Sequence, residues 1–185
     1  MTWTQVLIAA LAGGVALFVW NAICWMVLPH HHPDFRPMPK REGVERALTE
    51  SGVTAGFYQL PHWHDFPGGF KDPALDARFK TGPNAFIVVS PPGQCMGGST
   101  MLVGFLVNFI EALGLAIAFR YSIRSLETLP RAVGFTVMLG ALVHGGVYLS
   151  QAVWMKWPWS HVIKTILVDV VVGFALVGVV FHFLR

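Results

Sequence analysis

Long unbroken runs of apolar residues, separated by short polar connections, fill the second half of this 185-residue chain, and one more such run opens it. A bilayer's hydrocarbon core of ~30 Å takes roughly 20 apolar residues per helix. Four stretches meet that length: Gln5 to Leu28, Thr100 to Phe119, Ala132 to Val153 and Val162 to Leu184. Helix-breaking residues mark their edges, with Pro29 after the first, Pro92 and Gly93 before the second, Pro130 between the second and third, and Pro158 between the third and fourth. The pattern predicts an all-α membrane protein: a four-helix transmembrane bundle with a small α+β extracytoplasmic cap, residues 29–99, between helices 1 and 2.

Within that cap the pattern changes. Glu42 to Thr49 reads as a short helix, and Ala55 to Leu60 and Ala85 to Ser90 are β-type runs rich in Phe, Tyr, Ile and Val that can pair as antiparallel strands. Pro67-Gly68-Gly69 and Gly82-Pro83 mark loops between them. Such a unit has too little core to fold alone, so it is expected to rest on helix ends or on a partner.

Composition agrees with lipid as the main solvent. Apolar residues make up 54% of the chain and charged residues 12%, well below the roughly 25% of a soluble domain, and the mean hydropathy is +0.56. The net charge of +3 is not gathered into basic runs interleaved with aromatics, which argues against nucleic-acid binding. It instead sets topology: the connection Arg120 to Arg131 carries Arg120, Arg124 and Arg131 against the single acid Glu127, which places that loop in the cytoplasm. Both termini then face the cytoplasm, and the cap and the turn at Trp157-Pro158-Trp159 lie outside. Met1 to Val19 hold no Lys or Arg, so the first helix is expected to stay in the mature protein.

Polar side chains inside the spans carry the candidate chemistry, because lipid tolerates them poorly and they turn toward the bundle interior or a partner. Helical spacing aligns Gly14, Asn21 and Cys24; Gly104, Asn108 and Glu111; Gly140, His144, Tyr148 and Gln151; and His161, Thr165, Asp169 and Gly173. At ~1.5 Å rise per residue, Asn21, Asn108, Glu111, His144 and Asp169 all fall roughly 10 to 18 Å below the outer boundary. In a compact bundle Glu111, His144 and Asp169 are expected to meet as an acid–imidazole–acid cluster able to hold a metal, relay a proton or bind a polar headgroup. Ordinary interhelical hydrogen bonding is the competing reading and is ranked above it. His144 alone also fits as an axial ligand to haem or a chlorin.

A second constellation lies toward the outer side. His30, His31 and His32 follow the first span, and His62 and His64 flank Trp63 in the cap. In a strand His62 and His64 would point the same way, and a histidine of the triplet would complete a copper or zinc site; iron is a further candidate. Imidazoles that merely solvate a helix end are the bland alternative. Of the two cysteines, Cys24 and Cys95, both fall toward the outer face, where an oxidising compartment permits a disulfide. No C-x-x-C, phosphate-binding glycine loop or nucleophile elbow occurs.

Trp25-Met26-Val27-Leu28-Pro29 closing the first span, Gly56-Phe57-Tyr58 in the cap, Gly82-Pro83 before an apolar strand, and an Asp in the last span together resemble a group of small, uncharacterised bacterial four-span integral membrane proteins. The resemblance implies the bacterial inner membrane, departs over His62 to Lys71, and brings no activity with it. Three functions stay open in order: a non-catalytic accessory or assembly subunit of a respiratory, photosynthetic or oxidase complex; a metal-binding protein or enzyme using the outer histidines or the buried Glu/His/Asp set; and a proton-coupled carrier. The expected partners are membrane lipids with other integral subunits or further copies of the chain.

Overall fold

The computed structural model describes residues 1–93 and 96–185 and divides into two compact units, Met1–Arg36 with Cys95–Arg185, and Pro37–Gln94. Each is described by itself.

The first unit holds four helices long and apolar enough to cross a membrane. They are α1 (Trp3–Met26), α4 (Gly98–Ser122, extended by a 3-10 turn to Ser125), α5 (Leu129–Trp154) and a last span, Trp159–Leu184. The shortest has 24 residues, about 36 Å at ~1.5 Å each. Thr2 starts α1 by a capping box with Gln5, satisfying two of the orphan amides that any helix start exposes. Pro130 stands in the first turn of α5, where the missing N–H is harmless, so it opens that helix and does not merely separate two spans.

The last span is not uniform. It begins as α6 (Trp159–Lys164), widens into a π turn over Thr165–Val170, and resumes as α7 (Val171–Leu184). Such a bulge leaves one carbonyl without its usual partner, and here Trp20 Nε1 donates to Val168 O at 3.2 Å.

α1 packs chiefly on α4 and α7, and α5 on α7, whereas α4 and α5 touch little. Val6, Ala9, Ala10, Ala112, Ala116, Phe119, Val177 and Phe181 form the densest core, with the Phe119 and Phe181 rings edge to face at 5.5 Å. Small residues allow this closeness. A Cβ at Gly140 would strike the Phe174 ring, and one at Gly178 would strike Thr136 Oγ1 and the Val133 backbone. Arg120 Nε donates to Met1 O at 3.1 Å and Arg185 Nη1 to Leu126 O at 2.7 Å, so α1 and α4 run antiparallel, as do α5 and α7. Both termini and the arginine loop therefore share one end of the bundle, and Pro29–Asp34 occupies the other.

The second unit comprises α2 (Arg41–Glu50), β1 (Gly56–Leu60), α3 (Pro73–Thr81) and β2 (Ala85–Val89). The two strands pair antiparallel with Tyr58 opposite Ile87, and Tyr58 OH donates to Thr54 O at 2.9 Å. α3 was not anticipated. Its signals are nonetheless local: Asp72 caps it by accepting from Ala74 N, Pro73 fills the first position, and Gly82 ends it at φ 66°. Among the described residues of this unit only Pro61 and Leu75 are fully buried, which matches the expectation of a thin core.

Candidate functional site: a histidine–carboxylate network at one end of the bundle

After α1 stops at Met26, the six residues Pro29–Asp34 form about two turns of 3-10 helix, a geometry that eclipses side chains three apart. His31 and Asp34 are such a pair, and His31 Nδ1 lies 3.0 Å from Asp34 Oδ2. The turn folds its imidazoles onto the last span. His31 Nε2 meets Asp169 Oδ2 at 2.8 Å and His30 Nε2 meets Asp169 Oδ1 at 3.0 Å. From the α6 side, His161 Nδ1 lies 2.9 Å from Asp34 Oδ2, and Lys164 Nζ donates to Asp34 Oδ1 and to His30 O, each at 2.6 Å. Asp169 stands in the π turn, so the widened backbone presents one end of the network.

These side chains are largely withdrawn from solvent: His31 is 3%, Asp34 6%, Asp169 8% and His161 10% exposed. Trp25 covers the centre, its ring stacked on His31 at 4.4 Å and 18°. Burial alone would raise the Asp34 carboxyl, but the bonds from Lys164, His31 and His161 outweigh it and hold the group well below the usual carboxylate range. A recess of about 220 Å³ lined by Asp34, Phe35, Trp157, Pro158 and His161 reaches the network from the bundle end.

Two sets of ligating atoms arise here, each within 4.8 Å of one another: Cys24, His30 and Asp169; and His31, Asp34 and His161. They differ in availability. In the second set Lys164 already neutralises the carboxylate. In the first, among the described residues, His30 Nδ1 is buried without a hydrogen-bond partner and Cys24 is a buried thiol in no disulfide.

The polar residues singled out inside the spans border one cavity of about 340 Å³, lined by Asn21, Asn108, Glu111, His144, Tyr148 and Asp169 together with Trp25 and Phe174. Asn21 Nδ2 donates to Asn108 Oδ1 at 3.0 Å. Glu111 and His144 form a pair at 3.5 Å. The acid–imidazole–acid cluster expected of Glu111, His144 and Asp169 is divided, because both Asp169 oxygens are taken by His30 and His31.

His32 is exposed. His62 and His64 lie in the second unit on a 3-10 turn (Trp63–Asp65), where His62 Nδ1 accepts from His64 N at 3.3 Å. They are not on a strand, and neither belongs to a ligating group among the described residues. The suggested Cys24–Cys95 pairing lies outside the described residues. Lys164 was not singled out from sequence, although a lone cation in a span three residues after His161 required an anionic neighbour, and Asp34 is that neighbour. No family model, curated protein or solved structure matches this chain.

Proposed function

We propose that this chain is a metal-binding membrane protein that holds a zinc ion through Cys24, His30 and Asp169. The observation that carries the reading is the convergence of those three ligand types within 4.8 Å, with His30 presenting Nε2 to Asp169 Oδ1 at 3.0 Å. Thiolate, imidazole and carboxylate are the three side chains zinc accepts, and its bond lengths of ~2.0–2.3 Å place tetrahedral ligands roughly 3.3–3.8 Å apart.

The surroundings suit a bound ion. Asp169 keeps its second oxygen on His31, which in turn is fixed by Asp34, and Asp34 by Lys164 and His161. Such chains of carboxylate and imidazole behind the ligands set their orientation and basicity. Three protein ligands leave a fourth position for water or a substrate, the pattern of reactive zinc sites and not of closed structural ones. Arginines gathered at the opposite end support a cytoplasmic side there, and with it an extracytoplasmic zinc site. The exposed apolar faces of the four spans are what lipid covers, and they lend no separate support to an accessory role in a larger complex.

The test is metal analysis of detergent-purified protein after zinc loading and desalting. One zinc per chain is expected, lost in Cys24→Ser and in His30→Ala and retained in a His62→Ala, His64→Ala double variant. Stoichiometric copper with zinc excluded would reassign the ion. Metal-free protein after both loads would overturn the reading.

A further inference from the structure

The Glu111–His144 pair presents an unsolved energetic problem. It lies in mid-span, yet the two side chains remain 32% and 29% exposed on the side where α4 and α5 barely touch. Acyl chains there would leave the exposed third of a carboxylate and an imidazole facing hydrocarbon, which lipid tolerates poorly. Something with hydrogen-bonding atoms is required at this spot.

The pair stands at the junction of two spaces. On one side is the cavity of about 340 Å³ already described, within the ~300–1,000 Å³ of small-molecule sites. On the other is an apolar groove of about 260 Å³ between α4 and α5, floored by Gly114, Ala118, Leu139, Gly140 and Phe174. Gly114 is open, with nothing within 4 Å of where a Cβ would stand. The groove therefore admits a tail from the bilayer, and the cavity a head.

The head's chemistry follows from the lining. No Lys or Arg borders the cavity, so an anionic phosphate would face Glu111 and Asp169 uncompensated. Both carboxylates already pair with imidazoles, so no free anion awaits a cationic head. What remains is an assortment of donors and acceptors, the Asn21–Asn108 amides, Glu111 and His144, flanked by the aromatic faces of Trp25, Tyr148 and Phe174 that suit a planar ring. We propose that the chain binds a neutral amphiphile of the quinol class, the reduced form of a quinone, one ring hydroxyl donating to Glu111 and accepting from His144 and its tail in the groove between α4 and α5. Cys24 does not line either space, so this site stands apart from the zinc ligands except where Asp169 borders it.

A short-chain alkyl hydroquinone, titrated anaerobically into the full-length protein in lipid nanodiscs and followed by tryptophan fluorescence, tests this. Saturable quenching is expected, weakened roughly tenfold in Glu111→Gln by loss of a charged acceptor and at least as much in Gly114→Phe by filling the groove. Gly114→Phe is accepted as a probe only with an unchanged melting temperature, and Gly114→Leu replaces it otherwise. Cys24→Ser should abolish zinc binding and leave the titration unchanged, so the two sites fail separately. Unsaturable quenching, or equal affinity in the wild type and the groove-filled variant, overturns the proposal. Displacement of the hydroquinone by a long-chain trimethylammonium or by phosphatidylglycerol overturns the assignment of the head.

Discussion

Replacing Asp34 by Ala should be the most damaging single change at the end of the bundle. The carboxylate is 6% exposed and receives Lys164 at 2.6 Å and His161 at 2.9 Å on its two oxygens, with His31 at 3.0 Å. Removal leaves the Lys164 ammonium with only the His30 carbonyl, and breaking a buried pair from one side costs about 3–5 kcal/mol. For a chain of this length that corresponds to a fall of roughly 6–20 °C in melting temperature, read by thermal unfolding in detergent at neutral pH. The exposed pair Lys80–Asp76, 73% and 66% exposed, supplies the contrast, since Asp76→Ala should shift the transition by no more than about 2 °C. Acid should mimic the substitution. Because the folded carboxyl titrates below its ordinary value of 3.8, its contribution is complete above that pH and is lost only as pH falls below it. A melting temperature for Asp34→Ala within 2 °C of wild type would show that the network carries no load and refute the reasoning.

Helix packing and the second unit yield two further expectations. Gly140→Ala and Gly178→Ala should each lower stability by about 1–3 kcal/mol through overpacking, with Gly114→Ala unaffected because its Cβ meets nothing within 4 Å; equal melting temperatures for all three would contradict the close helix approach. Asp72 receives the Gly68 and Ala74 amides, and those bonds hold its carboxyl below the usual 3.8. Its cap therefore persists above that pH and weakens below it, and hydrogen exchange of the Ala74 amide should accelerate in Asp72→Ala at neutral pH.

How far the sequence was readable differs by length scale. The four apolar helices follow from run length alone, since only a helix satisfies so many backbone groups in lipid within one continuous apolar segment of about 20 residues. The strand pair was equally visible, because Phe57, Tyr58, Ile87 and Val88 are β-favouring residues between turn signals. The helix Pro73–Thr81 escaped because its apolar positions do not repeat cleanly, and its identity rests on Asp72, Pro73 and Gly82 at its ends. The same-facing arrangement that a strand would give His62 and His64 does not occur; Trp63 and His64 instead lie in a tight turn that His62 caps. At the site, counting polar residues by depth brought Asn21, Asn108, Glu111, His144 and Asp169 to one cavity. It could not tell that the turn after α1 doubles back to satisfy Asp169, since that depends on Lys164 and His161 drawing Asp34 inward.

The π turn makes the last span one residue longer than a regular helix crossing the same distance. That extra residue offsets the angular phase between its two halves by about 100°, so His161 and Lys164 answer to the turn after α1 while Gly173 and Phe174 answer to α1 and α5. Deleting a single residue between Thr165 and Val170 would restore ideal geometry and improve the backbone hydrogen bonding, yet it would swing one half or the other out of phase with its neighbours. The irregular backbone is thus tied to function: the same residue that widens the helix lets a carboxylate face the imidazoles while the far half keeps its packing face.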